Sequence, residues 1–124
     1  MANLEFELIQ GLTTGSTQHT YCVLREATAG DFIAASEESE KVVAFGLEPE
    51  LVTSPTLVGI NMLRRQIERI GDLTGPLERE LIDKLSINDL NLIRTQAEKL
   101  EEAARRVSQR GRSDGDGEGD EDSD

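Results

Sequence analysis

Apolar residues fall at every second position near the start of the chain. Leu4, Phe6 and Leu8 alternate with Glu5 and Glu7, the period-two pattern of a strand with one buried face. A turn-rich stretch, GLTTGSTQ, follows, and then HTYCVLRE, which is β-branched and aromatic enough for a second strand. Together they predict a β-hairpin over residues 3–27. A hairpin alone is marginal in water, so the Leu4/Phe6/Leu8 face needs a helix over it. The stretch LREATAGDFIAA supplies one, because Thr28-Ala29-Gly30-Asp31 reads as a capping box with Asp31 in the place of the usual Glu or Gln. The helix expected over residues 29–40 folds back and packs Phe32 on the hairpin.

Residues 41–54 are apolar in part but broken by Gly46 and Pro49, and a locally packed loop is expected. Beyond them the period lengthens. Ser54 is an N-cap, Pro55 stands at the first helical position, and Ile60, Leu63, Ile67 and Ile70 repeat at 3-4-3 spacing before Gly71. This predicts a helix over residues 55–70. Gly75-Pro76 punctuates the chain, and a short helix over 76–85 carries Leu77, Leu81, Ile82 and Leu85. Ser86 caps the last helix, 87–108, with Asp89 completing a second capping box. Leu90, Ile93, Ala97, Leu100, Ala104 and Val107 form its stripe, and Glu101–Arg105 and Glu102–Arg106 are favourable i,i+4 pairs. The fold class is α+β, mainly α: an N-terminal β-hairpin followed by a small helical bundle, in one domain over residues 1–110.

Composition adds a tail and excludes some partners. The net charge of the 124 residues is −12, and half of it lies in the last fourteen, which hold seven acids, one Arg and no apolar side chain. Residues 111–124 are therefore expected to be a disordered acidic tail, since nothing there offsets the entropy of ordering. Asp114, Asp116, Glu118 and Gly119 match the opening of a calcium loop, but its twelfth position falls past residue 124, so no metal site is expected. The charge disfavours nucleic acid. No apolar run is long enough to span a membrane, and the start of the chain lacks the pattern of a signal peptide.

Candidate chemistry is sparse. His19 has no second His or Cys at ligand spacing and reads as an exposed loop residue; Cys22 reads as a small apolar filler in a strand. No catalytic residue and no cofactor is expected. Arg105, Arg106, Arg110 and Arg112 complement the negative end of the last helix. The main lead is the seam Ile93, Ala97, Leu100, Ala104 and Val107, narrow enough for a helix–helix interface. Its upper half suits internal packing, and Leu100 to Val107 suits a partner.

LREATAGDFIAA resembles the LRE-P-T-x-G-D segment of the small phage tail assembly chaperones of the Mu-like and P-two-like families, with Ala27 where they have Pro. RQIERIGDLTGPLERELIDKLSINDLNLI, residues 65–93, is similar to their second signature, a helix ending in RIGGL, a GP, and then L…LS..D.N.L. The resemblance implies a protein that coats the helical tape-measure protein until tube subunits polymerise around it. It also implies action in the host cytoplasm, absence from the finished virion, and in many such phages a longer frameshifted form. The expected partners are then a tape-measure protein, a further copy of the chain and that longer form. The other expectation from the residues alone is an acidic adaptor or DNA mimic that sequesters a basic partner through the tail.

Overall fold

The structure, a computed structural model, describes residues 3–45 and 48–116; side chains are described except at 41–45, 48, 50–51 and 108–116. The expected hairpin is present. β1 (Asn3–Thr14) pairs antiparallel with β2 (Thr17–Arg25), from Asn3↔Arg25 to Thr14↔Thr17, with a register shift between Glu7 and Leu12. After α1 (Ala29–Glu38) come β3 (Glu40–Phe45), β4 (Glu48–Thr53), α2 (Pro55–Gln66), β5 (Ile67–Ile70), β6 (Leu73–Thr74), α3 (Arg79–Asp83) and α4 (Ile87–Asp116). One antiparallel sheet has the order β1-β2-β5-β6, and β3-β4 form a second, two-stranded sheet. The class is mixed α+β.

Three elements differ from the sequence expectation. α2 ends at Gln66 instead of 70, because Ile67 turns to extended backbone and the next four residues add a strand to β2. Ile67 and Ile70 then face the core together, which residues three apart on a regular strand do not do. The register slips by one at Glu68, where Leu24 pairs with Ile67 but Val23 with Arg69, and this bulge restores both side chains to one face. A three-residue apolar spacing thus served a bulged strand as well as a helix. The second difference is the predicted loop at 41–54, which is the β3–β4 hairpin. Val42, Val43 and Val52 favour extended backbone, and Pro49 is tolerated because both strands of a two-stranded sheet are edges. Third, α3 is one short turn, narrower than the predicted 76–85.

Leu8, Leu12, Cys22, Leu24, Ile67 and Ile70 of the main sheet meet Leu63, Ile82, Ile93, Ala97 and Leu100 of the helices in a single core. The helix that covers β1 is α4. α1 instead lies on α2, and the face it buries is Asp31, Ala35 and Ser39, at i,i+4 spacing. The Ser39 hydroxyl donates to the Ala35 carbonyl (2.6 Å) and accepts from Asn61 Nδ2 (2.9 Å). Phe32 consequently points away from the hairpin and is 56% exposed, which corrects the expected packing. Phe32→Ala is accordingly expected to change unfolding free energy by no more than about 0.5 kcal/mol. A urea titration showing a loss of several kcal/mol would mean that this face of α1 is covered.

α4 runs past the predicted end at 108 to Asp116, so the first residues assigned to the tail are helical. The rest of the expected tail, 117–124, lies outside the described residues.

Candidate functional site

The cap residues carry the geometry that positions the helices. Thr28 accepts from the Asp31 N–H (3.1 Å) and Asp31 accepts from the Thr28 N–H (2.8 Å), the complete reciprocal box. Arg25, at the end of β2, donates to both Asp31 oxygens at 2.7 and 2.9 Å, so the turn from strand to helix is clamped by a bidentate ion pair. The Arg25 guanidinium holds the Asp31 carboxyl well below the usual carboxylate range; burial opposes this, and the Thr28 bonds reinforce it. Ser54 accepts from the Leu57 N–H and caps α2.

The second predicted box is built differently. Ser86 accepts from the Asp89 N–H (3.1 Å), as an N-cap does, but the Asp89 side chain does not turn back to Ser86 N. Its two oxygens accept the N–H groups of Ile9 (2.6 Å), Gln10 (2.9 Å) and Gly11 (2.8 Å), where β1 loses its register with β2. Asp89 is fully buried, and burial alone would push its carboxyl up. The donors from Gly11, Gln10 and Ile9 outweigh that and hold it below the usual range. The start of α4 is thereby fastened across the sheet edge.

His19, expected in an exposed loop, is 5% exposed and belongs to the same region. Its Nδ1 accepts from the Asp72 N–H (3.2 Å), so the ring proton sits on Nε2, which donates to Thr14 Oγ1 (2.8 Å). Two glycines make room for it. Gly11 has φ +72° and Gly71 φ +59°; a Cβ at Gly11 would lie 2.0 Å from the His19 carbonyl oxygen, and one at Gly71 2.6 Å from its ring. His19 is a spacer between two turns. The turn-residue signal GLTTG was visible in the sequence, but the partner of its loop lies 53 residues away.

The predicted seam divides. Ile93, Ala97 and Leu100 are 0%, 7% and 4% exposed and pack on the sheet, so Leu100 is a core residue and not the projecting anchor expected of it. β1 and α2 occupy that side of α4. Ala104 is half-buried and Val107 is 60% exposed, since α4 has by then run beyond the sheet. Alongside the seam lies a groove of about 510 Å³ between α2 and α4. Ile60, Leu63, Leu90, Ala97 and the buried Gln66 form its floor, Gly59 its α2 rim, and Arg94, Glu98 and Glu101 its α4 rim. At its mouth Ile87 is 66% exposed. An open apolar trough between two helices, with polar rims, has the form that takes an amphipathic helix. Sequence periodicity identified α4 but not the groove, whose α2 wall is set by tertiary packing.

Burial pushes the Cys22 thiol up to about 12, which leaves it protonated at neutral pH. Among the described residues no cluster of three or more His, Cys, Asp or Glu could hold a metal ion, and no helix is long and apolar enough to cross a membrane.

These features describe a mixed α+β protein with a groove between two helices. Residues 8–112 match the tail assembly protein gp41 family, and the chain belongs to that family. It is 42% identical over 112 residues to the probable tail assembly protein gp41 of Escherichia phage Mu, covering 86% of this chain and 78% of that protein. It is 35% identical over 116 residues to the Mu-like prophage FluMu protein gp41 of Haemophilus influenzae, covering 90% and 89%. The probable tail assembly protein FS-gp41 of phage Mu is 47% identical over 87 residues, 67% of this chain but 46% of that longer protein. No solved structure matches the chain. The family is one of tail assembly proteins of Mu-like phages, and the resemblance found in the two sequence signatures is to the same group.

Proposed function

We propose that the protein is a tail assembly chaperone that holds a helical segment of the tape-measure protein without chemistry. The observation that carries this reading is the open α2–α4 groove in a member of a tail assembly family. A long helical protein made before its tube exists exposes apolar stripes that aggregate. A groove floored by Ile60, Leu63, Leu90 and Ala97 covers one such stripe, and Ala104 and Val107 extend the track along α4. The net charge of −12 keeps the complex dispersed. On this reading the protein works in the host cytoplasm, is left behind when the tube closes, and is absent from purified virions by mass spectrometry.

Gly59 offers a test that spares the fold. It is exposed on α2 at the groove, and an added Cβ would meet no atom within 4 Å. Gly59→Trp therefore fills the groove while replacing a glycine in a helix interior by a somewhat better helix former, a gain of no more than about 0.5 kcal/mol. Co-expressed with the phage's tape-measure protein, the parent should keep that protein soluble, and Gly59→Trp should lose most of this effect at unchanged thermal stability. Equal solubilisation by the variant would remove the groove from the mechanism.

A further inference from the structure

Neither strand of the β3–β4 hairpin lies along a helix or the main sheet; among the described residues the two pack mainly on each other. Glu40, Pro49, Val52 and Thr53 are exposed. A lone two-stranded hairpin is marginal in water and needs a further strand or a helix against it. Both outer edges are open to a strand, but they are not equivalent.

In an antiparallel pair, positions bonded across the ladder alternate with positions whose N–H and C=O point outward. The Ser54 N–H donates to the Ser39 carbonyl (3.5 Å), one step beyond the pair Glu40↔Thr53. The bonded pairs are then Lys41↔Val52, Val43↔Glu50 and Phe45↔Glu48, and the outward ones Glu40↔Thr53, Val42↔Leu51 and Ala44↔Pro49. Two features agree with this phase. Phe45 and Glu48 stand three residues apart, the spacing that a β-turn bond closes. Pro49, with no N–H to give, falls in the outward set. The outer edge of β4 therefore lacks a donor at Pro49, one way in which proteins blunt an edge. The outer edge of β3 is complete. Glu40, Val42 and Ala44 each offer an N–H and a C=O there, on a strand without Pro or Gly.

A second copy of β3 fits this edge in one register. Antiparallel strands pair outward positions with outward positions, so a two-fold axis that keeps at least two such positions paired passes through Lys41, Val42 or Val43. Through Lys41 it sets like charges directly opposite one another. Through Val43 it leaves Glu40 beyond the end of the partner strand, since β3 stops at Phe45. Through Val42, each Val42 meets its own copy, Glu40 meets the partner's Ala44 and Lys41 meets the partner's Val43. All three outward positions are then paired, and no like charges are opposed.

We propose that the outer edge of β3 is a self-association surface, on which β3 of a second copy pairs antiparallel about a two-fold axis at Val42 to make a four-stranded sheet. The α2–α4 groove is lined by other residues, so the proposal stands whether or not that groove takes a helix. One strand per copy buries far less than the roughly 800 Å² a side of a standard interface, so the dimer is weak and concentration-dependent.

Sedimentation equilibrium of the full chain, from micromolar concentrations to about 1 mM, tests it. The parent should pass from monomer toward dimer over that range. Val42→Pro copies the device of Pro49: its nitrogen faces outward, so the hairpin keeps its own bonds while the dimer loses its central reciprocal pair. The dissociation constant should rise by about tenfold or more. Val42→Lys and Val42→Glu, each set against itself across the axis, should also weaken the dimer. Mixed in equal amounts, these two should form heterodimers tighter than either variant alone, a gain that misfolding cannot produce. A parent that stays monomeric at the upper limit, a Val42→Pro dimer as tight as the parent's, or a mixture no tighter than its components would overturn the proposal. A Val42→Pro protein that dimerises like the parent but no longer solubilises the tape-measure protein would give the edge to a strand of that substrate instead.

Discussion

Leu100→Glu is expected to unfold the domain. The side chain is 4% exposed and belongs to the single core shared by sheet and helices. Removing a buried leucine costs about 2–5 kcal/mol in packing alone. Glu adds a carboxylate with no partner in an apolar site, a further penalty of several kcal/mol. The sum is comparable with the entire stability of a small domain, about 5–15 kcal/mol. The variant should show no cooperative urea transition and a collapsed amide spectrum. Val107→Glu, one turn pair further along the same stripe and 60% exposed, should change stability by no more than about 0.5 kcal/mol. A folded Leu100→Glu protein would show that the seam is free down to that residue.

Asp89→Ala should have the second largest effect, a loss of about 3 kcal/mol or more in urea unfolding. The carboxylate is the acceptor for three successive N–H groups, and alanine leaves all three without it. Asp89→Asn should fall between, because one of its two terminal atoms becomes a donor facing donors. Ser86→Ala, which removes only the N-cap, should cost about 1 kcal/mol. Acid should act through the same group. The folded-state carboxyls of Asp31 and Asp89 are held below their unfolded value of about 3.9. Their contribution is thus fully present above about pH 5 and is lost as pH falls through that value toward the lowered folded ones. Stability measured from pH 6 downward should decline in this range, and Asp89→Asn should make the decline shallower.

Local signals read well in this chain, and non-local ones did not. The β1–β2 hairpin, the Thr28 box and the Ser54 and Ser86 caps depend on residues within a few positions of one another, and each is present. Ile67 and Ile70 carried a helical spacing, yet the open edge of β2 drew them into the sheet, an influence from some 45 residues earlier in the chain. Phe32 failed as a core residue for a related reason. Its helix buries the Asp31/Ala35/Ser39 face, and what selects that face is the Arg25 clamp and Asn61 on α2, not hydrophobicity. The α4 stripe was legible as a stripe, but periodicity could not tell where core ends and free surface begins. That boundary falls between Leu100 and Val107 because the sheet ends there.

The Asp89 fastening bears on when the domain can form. Residues 9, 10 and 11 find their acceptor 80, 79 and 78 positions later. At a translation rate of about 5–20 residues per second, β1 leaves the peptidyl-transfer centre about 4–16 seconds before Asp89 is added. Throughout that interval the hairpin lacks both the carboxylate and the helix that covers its apolar face. Folding of the amino-terminal sheet is therefore gated by synthesis of the last helix. A polypeptide that stops short of residue 89 carries an unsealed first strand, the kind of fragment that cellular proteases clear.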